Sequence, residues 1–208
     1  MIRIGVLLYI FLQINVFAHT NTKCAQVMLT INNRADGTVE AIDYEGQRHA
    51  WTNRDIHDLK KIYKESEIDL TNLKGEKVLD AGCGGGAFVE YLSANHIDVK
   101  GIDLHLGERQ FKNPIFTQGD MRNTHYKDGE FGIIFSTASL FLSPMSEQVK
   151  FKALTELKRI LKIGGRIYLG DVWDLDEISG IISKIPGLKI TKHYQGYLGE
   201  VCWIEKIK

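Results

Sequence analysis

The residues with the clearest potential for chemistry lie in one short loop, Asp80 to Gly86, with the sequence DAGCGGG. An apolar run precedes the loop and the helical pattern AFVEYL follows it, so the loop is predicted to join a strand to a helix. Glycine permits positive φ and lets a ligand approach the bare main chain. Gly82, Gly84 and Gly86 therefore predict a close ligand contact.

Glycine loops of this kind serve two classes of cofactor, and Asp80 distinguishes them. The string GCGGGA also fits the G-x-G-x-x-G/A pattern of dinucleotide-binding turns. A carboxylate beside the loop would repel an anionic pyrophosphate, whereas it would attract an α-ammonium or a sulfonium group. Asp80 therefore favours a cationic amino-acid ligand, and a nicotinamide-dependent oxidoreductase is the weaker alternative.

Two further acids follow at the ends of later apolar runs. Asp103 ends VKGID, 23 residues after Asp80, where a carboxylate can accept both hydroxyls of a ribose. Asp120 and Met121 follow PIFTQG; the carboxylate can accept an exocyclic amine, and the thioether can pack on a flat base. Together these residues describe a site for adenosine that carries a positive amino-acid tail.

The elements that must position these residues form an alternating pattern from residue 77 onward. Short apolar runs alternate with helical stretches, which is typical of a parallel sheet covered on both faces. The predicted strands are KVLDAG, VKGIDL, PIFTQGD, FGIIFST and RIYLGDVW. Before the last of them, Ser146 is predicted to cap a helix that extends to about Leu161 and ends at Gly164 and Gly165.

The flanking segments have weaker patterns. Two short runs between residues 28 and 51, beside ADG and EGQ, predict a hairpin or strand pair, and an amphipathic helix is predicted over 54–65. Another helix is predicted over 175–185, before Pro186. The tail offers two strands, LKITKHYQGY and EVCWIEKI, joined by a turn at Gly199 and able to form an antiparallel edge.

The first 18 residues read as a secretory signal peptide, because a basic start is followed by an apolar stretch and a V-x-A sequence. The stretch is shorter than a spanning helix requires, so no stable membrane span is predicted. A start at Met28 is the alternative. We divide the chain into this leader, a segment 19–66 that serves as a substrate lid or as packing, and a main domain 67–208. Export or a periplasmic location is expected if the leader is used, and the cytoplasm otherwise.

Composition gives no signal for several classes of partner, although a local basic face stays open. Lys and Arg number 26 and so do Asp and Glu, so no nucleic-acid partner is predicted. The three cysteines are widely spaced without a CxxC pair, which argues against a disulfide framework and a zinc site. The side chains of four histidines are expected at the solvated surface, and no metal is predicted; these are His49, His57, His96 and His125.

With these motifs in place, the chain resembles the class I S-adenosylmethionine-dependent methyltransferases over roughly residues 76–208. The resemblance implies an α/β, Rossmann-like, doubly wound and mostly parallel seven-stranded sheet with a reversed last strand. It also implies S-adenosylmethionine at the carboxyl ends of the strands. The implied cofactor-binding residues are Asp80, Gly82, Gly84 and Gly86 at the methionine end, Asp103 at the ribose, Asp120 and Met121 at the adenine, and Ser136 with Thr137 beside the transferable methyl group. Cys83 and Leu104 complete the predicted cofactor site.

Two departures from the family pattern limit what carries over. The segment from Leu104 to Asn113 is short and contains Gly107, so the helix after the second strand is expected to shrink to a turn. The fourth strand is followed by STASLFLSP, without an Asn-Pro-Pro-aromatic run, so the methyl acceptor is unassigned. Positions from which a base could reach the site are His105, Tyr168, Asp171, His193 and the neighbourhood of Trp173, and none is ranked above the others.

The leading hypothesis is a methyltransferase for a small molecule that transfers the methyl group directly, in line. No catalytic residue is required, because the cofactor already activates the methyl group. A domain that binds S-adenosylmethionine without catalysis is the alternative from another class. The oligomeric state is left open.

Overall fold

The computed structural model describes residues 30–33, 38–42, 48–52, 70–104, 106–140, 145–172, 174–195 and 200–208. Contacts divide the chain into two compact units, Met1–Asn53 and Arg54–Lys208. The predicted leader, the helix over 54–65 and the turn at Gly199 lie outside the described residues.

The first unit contains a three-stranded antiparallel sheet in the order β1-β2-β3. The strands are β1 (Thr30–Asn33), β2 (Thr38–Ile42) and β3 (Arg48–Thr52). The ADG and EGQ sequences fall between these strands, where turns were predicted. The predicted strand pair was one strand short, because RHAWT pairs along the other edge of β2.

The second unit is built on a seven-stranded sheet in the order β6-β5-β4-β7-β8-β10-β9. Its strands are β4 (Lys77–Ala81), β5 (Asp98–Asp103), β6 (Phe116–Gln118), β7 (Phe131–Thr137), β8 (Leu161–Val172), β9 (Leu188–Gln195) and β10 (Glu200–Lys206). Strand β10 runs antiparallel to both neighbours, while β4 to β8 pair in parallel. The predicted mostly parallel sheet with a reversed last strand is confirmed.

Helices cover both faces of this sheet. They are α1 (Ala87–Ala94), α2 (Glu108–Phe111), α3 (Glu147–Ile160) and α4 (Leu175–Ser183), and a 3₁₀ turn spans Leu70–Leu73. Helix α2 has a single turn, as expected from the short segment after β5. One buried cluster joins α3 and α4 to the sheet, and a second joins α1 to the opposite face. Tyr168 lies in this second cluster, where its ring meets that of Trp203 edge to face at 5.1 Å.

Helix α3 begins as predicted, because the Ser146 side chain accepts a hydrogen bond from the Val149 amide. It ends at Ile160, within one residue of the predicted end, but the residues predicted to terminate it were wrong. Leu161 adopts extended backbone with φ −81° and ψ 134°, so the chain passes from the helix directly into β8. Gly164 and Gly165 therefore lie inside the strand and do not terminate the helix.

A partly buried ionic network fixes the connection between β6 and β7 against α3. Glu156 Oε1 accepts hydrogen bonds from the amide and the hydroxyl of Thr124, at 2.8 and 2.6 Å. Arg159 donates to both oxygens of Glu156, at 2.8 and 2.7 Å, and to the Tyr126 carbonyl at 2.9 Å. These bonds lower the pKa of Glu156 to about 2, chiefly through Arg159.

Candidate functional site

The end of β5 holds the glycine loop through three successive amides. Parallel pairing sets Asp80 beside Gly101 and Ala81 beside Ile102. The amides of Gly82 and Cys83 both donate to the Ile102 carbonyl, at 2.8 and 3.1 Å. The next amide, that of Gly84, donates to Asp103 Oδ2 at 2.8 Å. The loop and the predicted ribose-binding carboxylate therefore form one hydrogen-bonded unit.

Asp80 is a buried carboxylate at the start of this loop, with 6% of its surface exposed. Burial, with a further contribution from the negative charge of Asp103, raises the pKa of Asp80 to about 7. Among the residues that the structure describes, no hydrogen-bond donor or cation stabilises this carboxylate. A cationic ligand group would supply the missing partner, because an opposite charge favours the ionised form of a buried acid.

Two glycines of the loop are required by their conformation and their surroundings. Gly82 and Gly86 have φ values of +83° and +78°, which L side chains rarely adopt. A methyl group added at Gly82 would lie 2.4 Å from Ser139 Cβ, and one added at Gly86 would lie 2.5 Å from the ring of Phe116. Close packing therefore leaves only bare backbone at both positions.

The end of β7 brings a pair of hydroxyl groups to the same loop. Ser136 is 2% exposed, and its Oγ lies 2.6 Å from Ser139 Oγ. Ser139 also donates to the Ala81 carbonyl at 3.1 Å, so the proton between the hydroxyls comes from Ser136. Ala138, between them, has φ +50°, the left-handed conformation that turns the chain back toward Gly82.

The predicted adenine end is assembled less completely. The Met121 methyl carbon would lie 3.3 Å from a Cβ at Gly82, so this side chain reaches the glycine loop. Arg122 occupies the Asp120 carboxylate, with its amide at 2.8 Å from Oδ1 and its Nε at 2.7 Å from Oδ2. This pairing, chiefly the side-chain hydrogen bond, lowers the pKa of Asp120. Leu104, next to Asp103, is 53% exposed.

The structure argues against a catalytic role for two other side chains, those of Cys83 and Tyr168. Burial and the charges of Asp80 and Asp103 raise the pKa of the Cys83 thiol, which keeps it protonated. A protonated thiol is a poor nucleophile, so Cys83 serves the loop through its backbone amide and small side chain. Tyr168 is fully buried in the aromatic cluster at mid-strand, away from the strand ends, and is excluded as a base.

The remaining candidate bases are placed unevenly. His193 is exposed on the outer strand β9, three strands from β7. His105 and Trp173 lie outside the described residues, and so does the side chain of Asp171. His96 and His125 are exposed, as predicted, while His57 and the His49 side chain lie outside the described part. Cys83 and Cys202 are free thiols, and Cys24 is not described.

The described residues form neither a metal site nor a membrane-spanning helix. These residues contain no group of three or more His, Cys, Asp or Glu side chains arranged to hold a metal ion. No described helix has the length and apolar character needed to cross a membrane.

Sequence reasoning missed two side chains that shape the loop. Ser139 stands in STASL, and hydroxyl groups just after a predicted strand at the cofactor edge could have identified it. Gln110 donates to the Gly84 carbonyl from α2 at 2.8 Å. No sequence signal marks Gln110, because the contact depends on how a single helical turn folds back over the loop.

Comparisons with known proteins agree with this architecture. Residues 79–169 match the family model described as "Methyltransferase domain". In sequence, the chain is 34% identical over 70 residues to a ubiquinone biosynthesis O-methyltransferase of Pseudomonas fluorescens, which covers 31% of this chain and 30% of that protein. It is 30% identical over 115 residues to an uncharacterised methyltransferase of Synechocystis, covering 51% and 53%. The matches thus span about a third to a half of these relatives' own lengths.

Solved structures share the fold. A methyltransferase dependent on S-adenosylmethionine from Methanosarcina mazei superimposes with a TM-score of 0.55 at 16% identity, covering 66% of this chain and 96% of that one. Another from Aquifex aeolicus gives 0.55 at 19% identity, covering 73% and 94%.

Residues 79–169, which contain the glycine loop, thus match a methyltransferase domain, as the motifs predicted. The seven-stranded sheet with its reversed strand is the fold of the solved methyltransferases that depend on S-adenosylmethionine. The match supports the sulfonium cofactor over the nicotinamide alternative.

Proposed function

We propose that this chain is a methyltransferase that transfers the methyl group of S-adenosylmethionine directly to a small molecule. The observation that carries the proposal is Asp80, a buried carboxylate beside a bare glycine loop with no cation among the described residues. Burying a charge without a partner is costly, so its retention here points to a ligand that completes it. The α-ammonium group of the cofactor has the required charge.

The residues of the site fit the three parts of the cofactor, which are the methionine end, the ribose and the adenine. Asp80, Cys83 and the three alternate glycines of the loop would hold the methionine end. A carboxylate has about four acceptor positions, so Asp103 can hold the Gly84 amide and still accept ribose hydroxyls. Met121 and Leu104 offer apolar surface to adenine. Asp120 can accept a hydrogen bond from the adenine amine if it gives up one of its hydrogen bonds from Arg122.

The chemistry needs little from the protein beyond orientation. When bound, S-adenosylmethionine supplies a methyl group already activated for displacement by its sulfonium. The paired hydroxyls of Ser136 and Ser139 fix the end of β7 against the loop and so define the wall beside which the acceptor would lie. Holding two reactants in line is itself a large source of rate.

A small-molecule acceptor is supported by two observations. The balanced charge, 26 basic and 26 acidic residues, provides no electrostatic attraction for nucleic acid. The Pseudomonas relative is named for O-methylation in ubiquinone biosynthesis, which concerns a small molecule, although the match covers only 30% of that protein.

The proposal is tested by supplying cofactor labelled in its methyl group to the purified protein and to extract separated into metabolite, protein and nucleic-acid fractions. We expect label in the metabolite fraction, lost in Asp80→Asn and retained in Asp98→Asn, a matched change at an exposed site at the start of β5. Label in protein or nucleic acid would overturn the small-molecule assignment. Cofactor binding without transfer to any fraction would favour the non-catalytic binding domain.

A further inference from the structure

Gln110 is a buried glutamine that bridges the single-turn helix α2 and the glycine loop. Only 5% of the surface of Gln110 is exposed. Oε1 accepts a hydrogen bond from the Gly107 amide at 2.8 Å. Nε2 donates to the Gly84 carbonyl, also at 2.8 Å. Both ends of the amide are therefore used, and rotating it by 180° would place an acceptor against a carbonyl and a donor against an amide.

With this bridge, both the amide and the carbonyl of Gly84 are held by hydrogen bonds. The Gly84 amide donates to Asp103, while its carbonyl accepts from Gln110. Gly86 lies under the same side chain, because a Cβ there would be 2.8 Å from Gln110 Nε2. One side chain thus restrains two of the three alternate glycines, and through Gly84 it orients the predicted ribose-binding carboxylate.

This arrangement compensates for the short segment after β5. A loop with four glycines has high conformational freedom, and fixing it costs entropy when a ligand binds. Here α2 has only four residues, so a long helix does not buttress the loop on this side. A pair of buried hydrogen bonds can supply the restraint in its place.

We propose that Gln110 is a positioning residue that orders the glycine loop before the cofactor arrives, and that cofactor affinity depends on its bond to Gly84. The inference rests on the proposed function, since it requires S-adenosylmethionine at this loop. Gln110 acts through Gly84 and Gly86, not by touching the cofactor.

The test compares Gln110→Met and Gln110→Glu with the wild type in calorimetric titrations of S-adenosylmethionine at pH 8. Methionine keeps the length without the hydrogen bonds, and an ionised glutamate keeps the shape without a donor for Gly84. We expect Kd to rise about tenfold in both, which is the scale of one hydrogen bond of this kind. Gln148→Met, the same change on the exposed side of α3, should leave Kd unchanged.

Two further readouts separate positioning from simple structural damage. Amide exchange of the peptide covering residues 80–90 should accelerate in the free variants and return to the wild-type rate when cofactor is bound. Burial at this position should raise the pKa of the carboxyl group introduced by Gln110→Glu, so that at pH 5.5 it becomes partly protonated and can donate to the Gly84 carbonyl. The Kd ratio of Gln110→Glu to wild type should therefore shrink, while that of Gln110→Met stays constant.

The outcomes are distinct. Wild-type Kd values in both variants, or a Kd ratio for Gln110→Glu that does not change with pH, would overturn the inference while leaving the proposed function intact. A wild-type protein that does not bind S-adenosylmethionine would overturn the proposed function and this inference with it.

Discussion

Two carboxylates of this domain are largely shielded from solvent, and their pKa values are shifted in opposite directions from those of free carboxyl groups. Asp80, at the glycine loop, has a pKa raised to about 7 by burial and by the neighbouring charge of Asp103. Glu156, on α3, has a pKa lowered to about 2 by Arg159 and Thr124. The protein supplies every partner that Glu156 needs and leaves Asp80 without a cation among the described residues. We interpret Glu156 as part of the fold and Asp80 as part of a binding site.

The comparison predicts the largest effect for removal of the Asp80 charge. Asp80→Asn should raise the Kd of S-adenosylmethionine about 100-fold at pH 8, because a buried, charge-assisted contact to the α-ammonium group is lost. Glu156→Gln, the same chemical change in the other region, should alter Kd by less than about twofold. Calorimetric titration of both variants measures this, and equal losses of affinity would remove the distinction between the two regions.

The free energy of unfolding should rank the two variants in the reverse order, with the larger loss in Glu156→Gln. Glu156→Gln should lower the free energy of unfolding by about 2 kcal/mol at pH 7, because a charge-assisted network is broken. Asp80→Asn should raise the stability of the ligand-free protein at pH 8, because an unpaired buried charge is removed. Urea denaturation monitored by circular dichroism gives both values. A ligand-free Asp80→Asn protein less stable than wild type would contradict the assignment.

The pH dependence follows from the same two groups. A folded pKa above the unfolded one means that Asp80 favours folding at low pH and that this contribution is lost as pH rises from about 4 to about 7. Glu156 has the lower folded pKa, so its contribution is present above about 4.5 and is lost as pH falls toward 2. Cofactor affinity should fall about tenfold per pH unit below 7, as Asp80 becomes protonated. Titrations at pH 6, 7 and 8 test this, and a flat profile would exclude an ionised Asp80 from binding.

The sequence predicted the strands, the reversed β10 and the loop, because burial imposes a strong apolar pattern on a parallel sheet. It predicted the end of α3 to within one residue but named the wrong terminator, since Gly164 and Gly165 look like a helix stop but lie inside β8. It also missed Gln110, Ser139 and the Asp120–Arg122 pair. Those contacts join residues through the turns of loops, where neither periodicity nor spacing specifies a partner. The roles of the predicted cofactor-binding residues stay predictions.

Arg122 should have the smallest effect among these changes. Arg122→Ala frees the Asp120 carboxylate from a pair that is partly exposed, so its cost to stability should be below about 1 kcal/mol. Cofactor affinity should rise about threefold. In the wild type Asp120 must give up a hydrogen bond to Arg122 before it can accept one from the adenine amine, and the variant avoids this cost. Arg122→Lys provides a control that keeps the charge, and a loss of affinity in Arg122→Ala alone would show that the arginine itself contacts the cofactor.

The most direct test of the account is the pKa of Asp80, measured by carbon NMR of its carboxyl group in the free protein and with S-adenosylmethionine bound. The account predicts a pKa near 7 in the free protein, falling by two units or more when the cofactor's ammonium group provides the missing charge. A pKa close to 4 in the free protein, or one that does not move when the cofactor binds, would contradict the claim that Asp80 is held for a cationic ligand.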